Sequence, residues 1–393
     1  MWNKIASLFN SKHIDVTVNL DFFDPIKKTI LIIDDNLPQH DKSSGSKRLF
    51  ELIKIFKSSA LNVIFMPNDG LKTEPYGQQL KQLKVDVLLY SPNRKAMLKN
   101  LKSLLKEIDY AWISRPILNK EFQKIIKKSA KAKIIFDTVD LHYIRIERQA
   151  ENENNKKLRI KALKFKKLEL DLAKKADATI TITAIEQKLL ENENINNVFT
   201  IPNIHELNPS PKEISFEQRN GLVFIGGYMH EPNVDAVKWL ITEIMPTVWS
   251  KLPDVKVHLL GSYPTSDVLN LTNKLVFVPG YVEDVSNYFY TAKIFVAPLR
   301  YGAGMKGKIG QSLEFGLPVV TTNIGAEGMN LIDGENVSIA DETQDFANKI
   351  INLYENPQLW HKMKANAEKS LANYAPIRVK EQLVKLLNSL DQQ

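Results

Sequence analysis

Short apolar runs alternate with amphipathic stretches along the whole chain. TILIID (29–34), LNVIFMP (61–67), DVLLY (86–90), YAWIS (110–114), AKIIFDT (132–138) and ATITIT (178–183) each read as a strand. Between the first two, KRLFELIKIFKSS (47–59) sets Leu49, Leu52, Ile53 and Phe56 on one helical face, and the long basic stretch 156–176 reads as a helix. Near-continuous apolar strands separated by helices predict a parallel sheet covered on both faces. The polar, proline-bearing segment NIHELNPSPKEISFEQRN (203–220) reads as a linker, after which the alternation restarts. GLVFIGG (221–227), VKVHLLG (255–261), LVFVPGYV (275–282), KIFVAPL (293–299) and PVVTT (318–322) are its strands, and AVKWLITEIMPTVW is a helix. The expected fold class is α/β, with two Rossmann-like doubly wound domains facing across a cleft. The first spans 1–205 and the second 206–375, and a terminal helix over 376–393 packs back on the first.

Composition narrows the class. Of 393 residues, 44% are apolar and 25% charged, the balance of a globular chain. There is no cysteine, which excludes disulfides and thiolate metal sites. MWNKIASLFNSKHIDV has no apolar core of signal-peptide length, and no run of 18 apolar residues occurs, so a cytoplasmic location is expected. The net charge of +8 is uneven. Residues 1–200 hold 36 Lys+Arg against 24 Asp+Glu, a net of +12, and the rest is net −4. No nucleic-acid-binding module accompanies that basic half, so no nucleic-acid partner is expected. Two lysine-rich helices, 120–133 and 156–175, suggest an anionic membrane surface instead, with Phe122, Ile125 and Ile126 as an apolar stripe on the first. The alternative is a solvated outer face on a core helix.

Ligands of open α/β sheets bind beyond the carboxyl ends of the strands. That rule makes the loops 34–48, 114–119, 137–145, 226–234, 261–264, 279–284 and 299–310 the candidate site. The most informative stretch is APLRYGAGMKGKIGQSLEFGLPVVTT (297–322). A strand ends near Leu299, a glycine-rich loop follows, and a helix begins near Lys308. Gly302, Gly304 and Gly307 let backbone N–H groups approach an anion, with Ala303 and Met305 between them. A helix N-terminus and the ammonium groups of Lys306 and Lys308 add positive charge at the same mouth. A diphosphate is the natural partner. The formal GxGxxG match of 302–307 fits a dinucleotide site poorly, because it follows a late strand and no acid stands about 20 residues on.

With FDTVDLH (136–142), the Ala-Asp of KKADATITIT (174–183), IPN (201–203), VFIGGYMHEPNVDAVKWL (223–240), VPGYVEDVSNYF (278–289), the 297–328 segment and the DGEN turn (333–336) in this order, the chain resembles glycosyltransferase family 4, of the GT-B fold, over residues 29–385. The resemblance implies a retaining enzyme that needs neither cofactor nor metal. A nucleotide-diphosphate sugar would bind in the second domain and a glycan or lipid-linked acceptor in the first. Independently, no Asp-x-Asp occurs and the seven histidines show no metal-ligand spacing. Gly226, Gly227 and His230 would face the diphosphate and sugar. The backbone at Tyr281 and Val282 would read the base, with Tyr281 either stacking on it or packing inward. Asp140 and His142 would orient the acceptor hydroxyl or sugar; a capping Asp and a buried His are the alternative. The loop at Gly45 would approach the diphosphate or acceptor, with Arg48 adding charge. Arg115 either binds an anionic acceptor or pairs with a carboxylate.

The sequence also departs from the family. Many members carry two glutamates at Glu-x7-Glu for donor sugar and ribose; here those positions are Ala303 and Gln311. Glutamine still offers hydrogen bonds, without charge. A non-catalytic nucleotide-sugar-binding subunit and a sugar-nucleotide 2-epimerase are therefore the rival readings.

Overall fold

The computed structural model describes residues 20–89, 94–129, 131–212 and 214–392. The N-terminal stretch read for a signal peptide, Tyr90 of the third strand and Ala130 of the basic helix lie outside them.

The first sheet holds Thr29–Asp34 (β1), Asn62–Pro67 (β2), Asp86–Val87 (β3), Tyr110–Ser114 (β4), Lys133–Asp137 (β5), Ala178–Thr181 (β6) and Val198–Thr200 (β7). The strands are all parallel, in the order β3-β2-β1-β4-β5-β6-β7, and Ile32 of β1 lies between Phe65 and Trp112. All six residues of β1 are buried, as a strand covered on both faces requires. Covering helices include Ser44–Ser58 (α1), Pro116–Ile126 (α2), His142–Asn152 (α3) and Lys156–Ala173 (α4). Ser43 caps α1 by accepting from Ser46 N–H at 3.2 Å, and Leu49, Leu52, Ile53 and Phe56 are buried as their spacing predicts.

The second sheet holds Leu222–Ile225 (β8), Val257–Leu260 (β9), Val276–Gly280 (β10), Ile294–Ala297 (β11), Val319–Thr321 (β12) and Ser338–Ile339 (β13), also parallel, in the order β10-β9-β8-β11-β12-β13. Its helices include Glu231–Trp239 (α5) and Gly307–Glu314 (α6). The last helix, Pro376–Asp391 (α7), leaves this domain. Its Val379, Leu383, Leu386 and Leu390 are buried in the first domain's core with Leu52, Phe56 and Trp112, and Asp391 accepts from Tyr110 Oη at 2.5 Å and Lys28 Nζ at 2.7 Å.

Three sequence expectations change. The short β7 and β13 had no apolar run to betray them, and the third strand shrinks to two edge residues at Asp86–Val87. The stripe on α2 is a core face: Phe122 and Ile126 are fully buried and Ile125 packs against the same cluster, so these three side chains are not offered to a membrane. No helix of the described residues is long and apolar enough to cross a membrane.

Strand order reverses between β1 and β4 in one sheet and between β8 and β11 in the other. Such switch points leave a crevice beyond the strand ends. The loops that follow β1 and β4 line one cleft of about 800 Å³ together with those that follow β8 and β11.

Candidate active site

The second-domain wall is built from the ends of β8 and β11. After β11 the chain turns through Gly302 (φ 151°) and Gly304 (φ 64°) into α6. No acidic residue lies in the first turn of α6 and no side chain caps it, so its leading amides keep their partial positive charge. Lys308 Nζ meets Asn233 Oδ1 at 2.5 Å and sits 4.2 Å over the Phe224 ring. Among the described residues it has no carboxylate within ion-pair range. Burial, with Lys306 nearby, pushes its pKa down to about 7. Lys306 Nζ donates to the Gly304 carbonyl at 2.6 Å and lies 3.6 Å from Glu327 Oε2. Burial lowers its pKa too, against the pull of Glu327. A Cβ on Gly226 would stand 2.7 Å from Lys308 Nζ and from the Asn233 amide, so a larger residue would push those two side chains aside.

The first-domain wall carries Arg115, Val139, Asp140 and Arg145. Arg115 (φ 65°) and Val139 (φ 63°) both hold left-handed backbone, and for a β-branched valine this is strained by about 1–3 kcal/mol. Arg115 Nε lies 2.9 Å from Asp34 Oδ1 and 3.1 Å from Asp35 Oδ2, so of the two expectations it satisfies the carboxylate pairing. Arg145 Nε donates to Asp140 Oδ2 at 2.8 Å. Burial pushes the Asp140 pKa up, but Arg145 and His142 outweigh it and hold the carboxyl ionised, below its usual range. His230, on the rim before α5, is pushed down to about 4 by the enclosing protein and by Arg145 and Lys308, which leaves a neutral imidazole at pH 7.

Of the residues singled out from sequence, Gly45, Gly227, Tyr281, Val282, Gly302, Ala303, Met305, Gly307 and Gln311 also line the cleft. Four are placed otherwise than expected. His142 is turned back into the first domain, its ring stacked on Phe165 at 6.0 Å and its Nδ1 3.2 Å from the Asp140 carbonyl, 3.4 Å from Asp140 Oδ1 and 3.5 Å from Glu169 Oε1. The cause is Glu169, whose carboxylate accepts from the His142 and Tyr143 amides at 2.9 Å and fixes the start of α3. Arg48 does line the cleft, but it is buried and its guanidinium is satisfied within the first domain: Nη1 meets Asp137 Oδ2 at 2.7 Å, and Nε and Nη2 donate to the Ile201 carbonyl. Gly304 packs under Ile182 and Asp140 rather than lining the opening. Tyr281 donates its hydroxyl to Asp41, which also accepts from Tyr76 Oη at 2.7 Å, so the tyrosine braces the two domains as well as lining the cleft.

Sequence reasoning missed the groups that join the domains. Arg148 forks onto Glu327 at 2.7 and 2.8 Å and donates to the Gly302 carbonyl at 2.7 Å. Glu314 of α6 accepts from Lys47 of α1 at 2.8 Å and pairs with His205 Nδ1 at 2.7 Å. The domains touch closely there: a Cβ on Gly307 would lie 2.4 Å from Ser44 Cβ, and one on Gly310 would lie 2.1 Å from His205 Nε2. The available signals were an arginine one turn beyond Arg145 and a glutamate inside the GAEG segment.

Two doubly wound domains enclosing an interdomain cleft define the GT-B architecture. Comparison with solved structures agrees over nearly the whole chain. TarM of S. aureus, a variant in complex with Fondaparinux, alpha-GlcNAc-glycerol and UDP, is similar with a TM-score of 0.72 at 14% identity, covering 92% of this chain and 100% of that one. HepE of Anabaena, in complex with UDP and glucose, gives 0.70 at 15% identity, covering 92% and 100%. Sucrose-phosphate synthase of Thermosynechococcus elongatus gives 0.69 at 14%, covering 93% and 100%. Residues 219–356 match the family model of glycosyl transferases group 1. An uncharacterized 44.6 kDa protein in the cps region of Klebsiella pneumoniae is 26% identical over 144 residues, which are 34% of this chain and 37% of that protein.

Proposed function

We propose that the protein is a retaining, metal-independent glycosyltransferase that moves a sugar from a nucleotide-diphosphate donor to a glycan or lipid-linked acceptor, in the synthesis of cell-envelope polysaccharide. The observation that carries this reading is Lys308, a buried lysine that pairs with no carboxylate among the described residues, beside Lys306 at the open end of α6. Lys306, Lys308 and the leading amides of α6 form a site suited to a polyanion. In transfer, the bond from the anomeric carbon to the diphosphate oxygen breaks, the acceptor hydroxyl oxygen bonds to that carbon, and the hydroxyl proton passes to the departing diphosphate. The charge left on the diphosphate is then met by groups already in place, in the role a divalent cation would otherwise fill. Asp140, ionised and held by Arg145, orients the acceptor hydroxyl from the opposite wall. The neighbours crystallised with UDP and the match to group 1 over 219–356 support the donor class. The relative from a cps region supports the polysaccharide setting. We place the reaction in the cytosol, at an anionic membrane face that α4 would contact.

Mass spectrometry of products after incubation with a panel of nucleotide-sugars and oligosaccharide acceptors tests this. New glycosides are expected without added metal and in the presence of chelator. UDP binding with neither transfer nor donor hydrolysis would select the second reading, a non-catalytic nucleotide-sugar-binding subunit, which Gln311 and Ala303 at the two glutamate positions favour.

A further inference from the structure

One carboxylate joins a phenol from each domain at the edge of the cleft. Tyr281 follows β10, an edge strand of the second sheet, and donates to Asp41, in the loop between β1 and α1. Asp41 also accepts from Tyr76 Oη at 2.7 Å. Lys42 Nζ lies over both rings, 5.5 Å from the centre of Tyr76 and 5.7 Å from that of Tyr281. Burial raises the Asp41 pKa, but the two phenols outweigh it and hold the carboxyl ionised, below its usual range. The same carboxylate pushes the Tyr281 hydroxyl up to about 12. The loop that carries Asp41 is itself fixed. His40 stacks on Phe50 at 4.5 Å with its Nε2 2.9 Å from Gln79 Oε1, and the Lys42 amide donates to the Gln39 carbonyl at 3.0 Å. The Lys42 carbonyl stands 4.0 Å from where a Gly227 Cβ would be, so the loop also reaches the turn after β8.

From the lysines at the β8–β11 switch point, the cleft extends toward β10 along Leu260, Val282 and Val285, an apolar lining suited to a flat base. Resting on the nucleotide-donor reading, we propose that Asp41 is a positioning residue of the donor site: it fixes Tyr281 at the base end, so that the nucleotide is held by both domains rather than by the second alone. Tyr281 is 42% exposed, so packing alone does not set its orientation; the bond to Asp41 and the Lys42 ammonium do. A ring already held in place can stack on a base with little ordering cost left to meet. Pyrophosphate, which occupies only the lysine end, does not reach this contact. A nucleoside diphosphate does, and its affinity therefore depends on a first-domain carboxylate that touches neither phosphate nor sugar.

The test is calorimetric binding of pyrophosphate, UDP, GDP, ADP and dTDP to the parent protein, Asp41→Ala, Tyr281→Phe and the double variant. For the nucleotide that the parent binds best, each single change is expected to raise Kd about threefold to tenfold, the range of one hydrogen bond. The double change is expected to raise it no further than the larger single one, because the two groups act as a unit. The Kd for pyrophosphate is expected to rise by no more than about twofold in any variant, which a general loss of structure would not allow. Tyr76→Phe, which keeps the Tyr281 contact and removes the bracing phenol, should fall between the parent and Asp41→Ala. Nucleotide affinity unchanged or improved in both single variants, additive losses in the double variant, or pyrophosphate weakened in parallel with the nucleotide overturns the proposal and leaves the donor site standing. A parent protein that binds neither pyrophosphate nor any of the nucleotides removes the donor reading and the proposal with it.

Discussion

Arg148 of the first domain and Glu327 of the second form a two-pronged ion pair, Nη1 to Oε2 at 2.7 Å and Nη2 to Oε1 at 2.8 Å. The pair does more than close the cleft. Arg148 Nη1 also holds the Gly302 carbonyl, and Glu327 stands 3.6 Å from the Lys306 ammonium, so one fork fixes both the glycine loop and its lysine. Lysine at 148 cannot reproduce a planar fork. Arg148→Lys and Glu327→Gln are each expected to lower kcat by roughly tenfold, with a smaller change in donor KM, because a misplaced loop costs stabilisation of the developing charge. Steady-state kinetics beside a thermal melt separates this from unfolding; kcat within twofold of the parent in both would remove the fork from the mechanism.

Lys308 makes donor affinity depend on pH in a definite direction. Its pKa of about 7 in the empty cleft must rise when a diphosphate binds. Below pH 7 the ammonium is already charged and affinity should be level. Above pH 7 binding must take up a proton, so the Kd for UDP is expected to climb, by up to tenfold per pH unit, until the pKa of the complex is reached. Calorimetry in buffers of different ionisation enthalpy should register proton uptake at pH 8 that disappears in Lys308→Arg. A Kd independent of pH from 6 to 9 would contradict the assignment.

The outline of both sheets and the glycine loop were legible because each is local: period, strand length and turn residues are written in consecutive positions. Lys306, Lys308 and Gln311 came from one such stretch, and the structure sets all three at the cleft. Arg48 and His142 were misjudged for a common reason. Each follows a strand on the cleft side, yet a partner distant in sequence turns it inward: Asp137, 89 residues away, for Arg48, and Glu169 of α4 for the start of α3 at His142. Arg148 and Glu327, 179 residues apart, were invisible for the same reason. The first two pairings are decided by how distant elements pack within the first domain, and the third by how the two domains dock.

Asp140 and His142 should now separate experimentally. Asp140→Asn keeps the shape but discards the charge that engages Arg145, and turnover is expected to fall by about 10²-fold if the carboxylate orients the acceptor. His142→Ala removes a ring stacked on Phe165 and an imidazole 3.4 Å from Asp140 Oδ1, so kcat is expected to fall less than in Asp140→Asn, by about threefold to tenfold, while stability drops by about 1 kcal/mol. The reverse ranking of the two kcat values would return His142 to the reaction.

Gln311 lines the cleft on α6, at the position where the resembling family commonly places a glutamate for the ribose. Charge-assisted hydrogen bonds are roughly twice as strong as neutral ones. Gln311→Glu is therefore expected to tighten UDP about threefold to tenfold, while 2′,3′-dideoxy-UDP, which lacks the ribose hydroxyls, gains nothing. Equal gains for both nucleotides would show that residue 311 is not at the ribose.

The membrane contact is best tested on α4, since the stripe on α2 is buried. Ile160 and Leu163 of α4 are 56% and 66% exposed, one turn apart, among the exposed cations Lys157, Arg159, Lys161 and Lys164. Each basic residue near an anionic leaflet contributes about 1 kcal/mol, and each apolar side chain inserted adds about 1.5–3 kcal/mol. Together these terms suffice for reversible adsorption at low ionic strength. The protein is expected to sediment with phosphatidylglycerol vesicles in 0.05 M salt and to be released near 0.5 M, as screening shortens the range of the field. Ile160→Ser/Leu163→Ser should weaken binding by at least tenfold without touching transfer to a soluble acceptor, because neither side chain lines the cleft. Vesicles of phosphatidylcholine alone should bind little; equal binding to both kinds would assign the contact to the apolar pair, and no sedimentation with anionic vesicles at low salt would end the membrane reading.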